Sequence, residues 1–270
     1  MKKKLLALVL VLALVVSLAV ALAACDPKDD GGDGLKFGLI CLHDENSTYD
    51  KNFIDAAQAA CDALGAELVI TKNIPEGAEC YDAAADLVDQ GCDVIFADSF
   101  GHETYMIQAA KEFPDVMFAH ATGTRAHTEK LPNYFNAFAS VYDARYLAGV
   151  VAGHKLNEMK AAGTQGTPKL GYVGAYTYAE VISGYTSFYL GAKSVCPDVV
   201  MDVKFTGTWY GTTEESEAAT ALIEAGAWIV SQHADSMGAP NACAQADVPN
   251  VTYNISTKES CGDSYLVGSK

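Results

Sequence analysis

KFGLICLHDENSTYDKNF, Lys36 to Phe53, is the stretch whose reading decides the fold. The six residues Phe37 to Leu42 are apolar without alternation, Gly38 alone lacking a side chain. A continuous run of that length suits a strand buried on both faces of a parallel sheet; a half-exposed strand would alternate. The run then breaks into a polar loop, His43 to Thr48, and restarts as a helix near Asp50, with Ser47, Thr48 and Asp50 all able to cap it. Open α/β sheets place ligands at the carboxyl ends of their strands, where such a loop lies. Asp44, Asn46, Ser47, Tyr49, Asp50 and Asn52 gather donors and acceptors there, with Phe53 one step inside the helix.

The same rhythm continues downstream. Phe53 to Leu64 reads as an Ala-rich amphipathic helix ending at Gly65, and Glu67 to Thr71 as a strand. A helix over Asp82 to Gln90 stops at Gly91, a natural C-cap. Strands follow at Asp93 to Ala97 and Val116 to His120, separated by a helix ending at Glu112. Strict alternation with short links predicts a parallel, doubly wound sheet. After the extended Asn133 to Ala139 comes a long helix, Tyr142 to Met159, with Gly149 and Gly153 spaced for close packing. Alternation then starts afresh: strand 169–174, helix 180–195, strand 201–206, helix 213–224, strand 228–232, helix 238–246 and strand 250–253. The chain length fits two α/β lobes, each with its own core. We place them at 36–138 and 139–263.

The N-terminal residues stand apart from both lobes. Lys2 to Lys4 precede an apolar run, Leu5 to Ala23, and then Leu22-Ala23-Ala24-Cys25, the layout of a secretory signal over 1–24. A Cys after Leu-Ala-Ala resembles the lipobox of bacterial lipoproteins, which makes Cys25 the expected lipidation site and tethers the chain to the outer side of the cell membrane. Residues 25–35, rich in Gly and Asp, are expected to form a flexible stalk. The formal charge is −16, and removing the leader's three lysines takes it to −19. That balance excludes nucleic acid as a partner, since phosphate binding demands basic patches. Seven further cysteines at irregular spacing, without CxxC, give no zinc framework; a Cys243–Cys261 bridge is left open.

The residues just beyond each strand are polar or aromatic. The first lobe offers the 43–53 loop and Asp98, Ser99 and Phe100; the second offers Tyr176 and Tyr178, Trp209 and Tyr210, and Gln232, His233, Asp235 and Ser236. If the lobes face each other through these tips, aromatic rings and carboxylates line one cleft, the chemistry for a flat ring bearing hydroxyls. Taken singly, Trp209 and Tyr178 also read as packing, and Asp98 as a helix cap.

The segments DKNF (50–53), ADSFGH (97–102), AKEFPDVMFAHATG (110–123), YDARYLAGVVAG (142–153), KLGYVGAY (169–176), AEVISG (179–184), LGAKSV (190–195), TGTWYG (206–211) and QHADS (232–236) are collinear with the basic membrane protein family, which the chain resembles from Lys36 to Val267. That family comprises lipoprotein substrate-binding components of ABC transporters, purine nucleoside receptors among them. The resemblance implies a type I periplasmic-binding-protein fold, two Rossmann-like lobes joined by a three-strand hinge, with a purine nucleoside or related nucleobase between them and an ABC permease as partner. It implies that Phe53 and Trp209 sandwich the base and that Asp50, Asp98 and Asp235 hold base or ribose; Asn52, Ser99 and Tyr176 complete the expected site. Tyr49 stands where many members have a second acid, Asn52 where many have Ser, and Ala179 where Pro is usual. Residues 264–270 are expected to cross back toward the first lobe, whose C-terminal part the sequence lacks, leaving an apolar face there exposed.

Two other functions compete. A sugar-binding or sensing lipoprotein of the same fold would use the same aromatic-plus-acid chemistry. A nucleoside hydrolase could draw on Asp50, Asp98 and Asp235. No nucleophile elbow or GxxxxGK[ST] loop occurs, and the six His lack ligand spacing. We therefore expect no enzyme, no metal and no cofactor.

Overall fold

The computed structural model describes residues 34–269, and both lobes lie in the unit that begins at Lys36. The signal, Cys25 and the stalk over 25–33 fall outside the described residues. Among the described residues no helix is long and apolar enough to cross a membrane.

The first lobe is a five-stranded parallel sheet: β1 (Lys36–Ile40), β2 (Glu67–Thr71), β3 (Val94–Ala97), β4 (Met117–Ala121) and β5 (Tyr134–Ala137), in spatial order β2-β1-β3-β4-β5. Helices α1 (Thr48–Leu64), α2 (Ala78–Asp89), α3 (Glu103–Glu112) and the one-turn α4 (Ala126–Glu129) connect them. Ser47 caps α1 by accepting from the Asp50 N–H (3.2 Å), and Gly65 ends it at φ 66°, a left-handed conformation that only Gly adopts without strain. The core on one face of this sheet is Leu87 of α2, Met106 and Ile107 of α3, and Ile95, Phe118 and Tyr134 of the strands. On the other face α1 packs on β1 and β2, while Met117 and Phe135 stay 39% and 50% exposed.

The second lobe repeats the topology. Its strands are β6 (Lys169–Gly174), β7 (Val200–Phe205), β8 (Ile229–His233), β9 (Asn250–Tyr253) and β10 (Tyr265–Ser269), in order β7-β6-β8-β9-β10, all parallel. Cores cover both of its faces. One is built on α5 (Val141–Ala161) and α6 (Ala179–Val195), with Leu156, Phe188, Tyr172 and Ile229. The other joins α7 (Thr212–Glu224) and α8 (Gly238–Gln245), with Val173, Leu222, Val230 and Cys243.

Residues 264–270 differ from the expected crossover. Tyr265–Ser269 pairs with β9 as the edge strand of the second sheet, where Leu266 and Val267 pack on its core and Ser269 accepts from the buried Arg145 guanidinium (2.8 Å). The short apolar run Tyr265-Leu266-Val267 is strand-forming, and burying it against β9 outweighs leaving it in solvent. Among the described residues the chain passes from the first lobe to the second at residues 138–140. The Cys243–Cys261 pairing is also absent: both thiols are free and buried.

The α5–α6 pair is a close backbone contact. A Cβ on Gly149 would meet the Phe188 carbonyl oxygen at 2.0 Å, and one on Gly191 would meet that of Tyr146 at 2.1 Å. Neither neighbour is a flexible side-chain tip, so the helices would have to part. Gly149→Ala is expected to destabilise the protein by about 1–3 kcal/mol, seen as a lower urea midpoint; an unchanged midpoint would show that the helices can separate without cost.

Candidate functional site

In each lobe the strand order reverses between the two central strands, β1 and β3 in the first and β6 and β8 in the second. The loops leaving these strands diverge and open a crevice, the usual ligand position in doubly wound sheets. In this molecule the two crevices meet in one cavity, lined by Leu42, His43, Tyr49, Asp50, Ser99, Phe100 and Thr122 of the first lobe and by Glu180, Trp209, His233, Asp235 and Tyr253 of the second.

Its floor is made of buried carboxylates. The Asp50 carboxylate accepts from the His43 N–H (2.8 Å) and the Ser47 hydroxyl (2.5 Å). Burial works against its charge, yet the hydrogen bonds from His43 and Ser47 hold its pKa below the usual carboxylate range. Asp98, fully buried, receives only the Leu42 N–H (3.1 Å), and its other oxygen has no partner. Burial, followed by the charge of Asp50, pushes its pKa well above the ordinary value. Asp235 is shifted the same way by burial and then by Glu215, against one hydrogen bond from the Asn254 amide (3.0 Å). Cys41, Asp50 and Asp98 bring one ligating atom each within 4.8 Å of one another. Burial raises the Cys41 thiol as well, so it works against charge on two of these three groups.

The lobes meet through direct polar contacts beside the cavity. The Thr48 N–H at the start of α1 donates to the Asp235 carbonyl (2.8 Å). The Asn254 amide bridges Asp235 Oδ1 and Thr48 Oγ1 (3.0 and 3.2 Å), and Asn52 Nδ2 donates to the Asn254 carbonyl (2.8 Å). Asn254 sits at φ 69°, a conformation Asn tolerates. Across the mouth Phe100 stacks on Tyr178 (5.1 Å), which stacks on Tyr176 (5.1 Å), and Tyr176 meets Trp209 edge-on (5.2 Å).

With this geometry in view, comparison with known proteins is informative. The family described as ABC transporter substrate-binding protein PnrA-like matches residues 40–260. The chain belongs to that family. A purine-binding protein of Brucella abortus is 35% identical over 210 residues, covering 76% of this chain and 56% of that protein. A putative ABC transporter glucose-binding protein of Haloferax volcanii is 34% identical over 175 residues, 65% of this chain and 41% of that one. An ABC transporter nucleoside-binding protein of Lactococcus lactis is 25% identical over 212 residues, 76% of this chain and 56% of that protein. The chain thus spans about half the length of the curated relatives it matches. Among solved structures, a solute-binding protein of an ABC transporter system from Aeropyrum pernix superposes with TM-score 0.69 at 15% identity, over 83% of this chain and 63% of that one. One from Conexibacter woesei gives 0.63 at 24% identity, over 80% and 69%. The fold is the type I periplasmic-binding-protein fold.

Of the residues expected at the site, Asp50, Ser99, Trp209 and Asp235 line the cavity of this family member. Asp98 lies one layer behind them, holding the Leu42 N–H, while its carbonyl accepts from the Tyr49 hydroxyl (2.8 Å). Tyr176 supports Trp209 without lining the cavity, and Asn52 ties the lobes together. Phe53, the expected first-lobe half of a base sandwich, is not a lining residue; its ring packs on Tyr49 (4.9 Å) and Phe96 (5.7 Å). With α1 beginning at Thr48, Tyr49 and Phe53 lie one turn apart on the same face, and Tyr49, the one nearer the strand tip, lines the cavity. The site residues not anticipated are Leu42, Thr122, Glu180 and Tyr253, while His43, Tyr49, Phe100 and His233 belong to the strand tips expected to line the cleft. Thr122 directly follows β4, where the same rule applied to a fourth strand would have found it.

Glu215 braces the second lobe's half of the site: its Oε1 accepts from the Gly211 and Ser236 N–H groups (3.3 and 3.0 Å). Burial pushes its pKa from 4.5 up to about 7. The folded state therefore keeps a proton that the unfolded chain has released, so its stabilising effect is complete below pH 4.5 and lost as pH rises through 7. Asp98 and Asp235, both raised, act in the same direction. Stability to urea is expected to fall between pH 4.5 and 7.5, and Glu215→Gln to remove about one proton's worth of that slope; an unaltered slope would show that Glu215 titrates normally.

Proposed function

We propose that this protein is the ligand-capturing component of an ABC importer and that its cleft holds a purine nucleoside or related nucleobase. The observation that carries this reading is the lining itself. Tyr49 and Phe100 from one lobe and Trp209 from the other surround the carboxylates Asp50 and Asp235, and no lysine or arginine is among the lining residues. Rings on opposite walls suit a flat aromatic guest, each stack contributing about 1–3 kcal/mol. Buried carboxyls suit the hydroxyls and amino groups on its edge, at roughly 1.5–3 kcal/mol per charge-assisted hydrogen bond. Two of each support micromolar or tighter binding after the costs of association. The printed names of the Brucella and Lactococcus relatives, purine-binding and nucleoside-binding, favour the same ligand class.

Capture proceeds without chemistry. Asp50 is held by the His43 N–H and the Ser47 hydroxyl, while burial works against charge on Asp98 and Asp235. Delivery is to a permease, from an extracytoplasmic position held by a lipid on Cys25. The putative glucose-binding relative favours a second reading, in which the cleft takes a sugar through the same rings and acids.

Denaturing the purified full-length protein and identifying the released small molecule by mass spectrometry is expected to yield a nucleoside or nucleobase, chemically unchanged. Calorimetry with adenosine, guanosine, inosine, D-ribose and D-glucose separates the readings; sugar binding with no nucleoside binding would overturn the first. Trp209→Ala is expected to weaken the preferred ligand by about 1–3 kcal/mol while the protein stays folded by circular dichroism.

A further inference from the structure

Thr122 lines the cavity in a backbone conformation that its side chain disfavours. Its φ is 60°, in the left-handed region, where a β-branched residue is a genuine outlier. Its hydroxyl oxygen is shielded from solvent and has no hydrogen-bond partner, against the general rule that buried polar groups are paired.

The surroundings nevertheless force the conformation. The Thr122 N–H donates to the Ala137 carbonyl at the end of β5 (3.0 Å). The buried Glu103 carboxylate accepts from the Thr124 and Arg125 N–H groups (2.8 and 2.7 Å) and from the Asn136 amide (3.2 Å), while Asn136 Oδ1 accepts from the Ala126 N–H (2.7 Å). At Gly123 a Cβ would meet His120 Nδ1 at 2.2 Å, Asn136 Nδ2 at 2.4 Å and Glu103 Oε1 at 2.5 Å, so the next residue has no freedom either. His120 Nε2, in turn, lies 2.6 Å from the carbonyl of Ser99, another lining residue. Strained conformations persist where the surroundings over-determine them, and they gather at ligand clamps.

We propose that Thr122 is a ligand-contacting residue, its hydroxyl hydrogen-bonding a polar atom on the edge of the bound molecule and thereby setting which ligand is preferred. This rests on the reading of the cleft as a nucleoside or nucleobase site. A hydroxyl both donates and accepts, so it can answer an exocyclic amine or a carbonyl, the feature that separates adenosine from inosine and guanosine.

The test is calorimetry on the full-length protein with adenosine, guanosine, inosine and D-ribose, for wild type, Thr122→Ser, Thr122→Val and Thr122→Gly. Valine keeps the shape and removes the hydroxyl. It is expected to weaken the preferred ligand roughly tenfold, and unequally across the ligands, while serine stays close to wild type. Glycine adopts φ 60° freely, so it preserves the turn if valine disturbs it; the same loss is expected, with a thermal midpoint at or above that of wild type. Wild-type affinity in the valine or glycine variant, when wild type binds a nucleoside, overturns the assignment and leaves the proposed ligand class standing. Binding of D-ribose alone overturns the ligand class, and the same variants then score Thr122 against ribose. Binding of none of the four overturns both.

Discussion

Three carboxyl groups, Asp50, Asp98 and Asp235, are buried where the two lobes meet, and none of them forms an ion pair with a lysine or arginine among the described residues. An isolated buried charge costs too much to persist, so each must be answered by hydrogen bonds or lose its charge. Asp50 takes the first course, and this fixes much of the first lobe's lip. The N–H of His43 and the hydroxyl of Ser47 both turn toward it, so that the β1–α1 loop wraps around one carboxylate and the helix start is set at Thr48. Asp98 and Asp235 take the second course, each raised by burial before any neighbour is counted. Neutral carboxyls are donors as well as acceptors, which widens what the cleft can recognise.

The same constraint joins the lobes. Asp235 presents its carbonyl to the Thr48 N–H and its side chain to Asn254, which also reaches Thr48 Oγ1. The first N–H groups of a helix have no partner within it, so the start of α1 is a ready donor, and the second lobe supplies the acceptor. One element thus carries both the capped acid of the cleft and the contact that closes it. The two lobes differ in what stands behind them. The second is covered on both faces and stiffened by α5 and α6 in backbone contact through Gly149 and Gly191, whereas the first leaves Met117 and Phe135 open on one face.

The sheets were legible in the sequence because parallel strands are continuous apolar runs, which read the same whatever the register. Strands 67–71, 169–174 and 250–253 carry the bounds expected of them, and most others move by a residue or two. Side-chain facing was less legible, because it depends on where a helix begins. Ser47, Thr48 and Asp50 were equal candidates for the cap; Ser47 serves, and Tyr49 in place of Phe53 lines the cleft. The position of Thr122 after β4 follows the strand-tip rule, but its conformation was not legible. Its conformation comes from Glu103 and Asn136, residues 19 and 14 positions away in a chain whose local pattern, Ala-Thr-Gly, reads only as a turn. The strand at 265–269 escaped because pairing with β9 is long-range information that a run of three apolar residues does not carry.

Closure over a ligand is then a question of differential affinity. The direct contacts between lobes include three hydrogen bonds, each worth about 1 kcal/mol net, the ring stack of Phe100 on Tyr178 and the tilted ring pair His43–Tyr210. A lobe pair joined through so few contacts responds to whatever binds the closed form better than the open one, and a ligand indifferent to the two would shift nothing. At the cleft the Trp209 indole N–H, His233 Nδ1, the second oxygen of Asp98 and the Thr122 hydroxyl are without partners, so a guest that pairs with them gains what the protein alone leaves unmade.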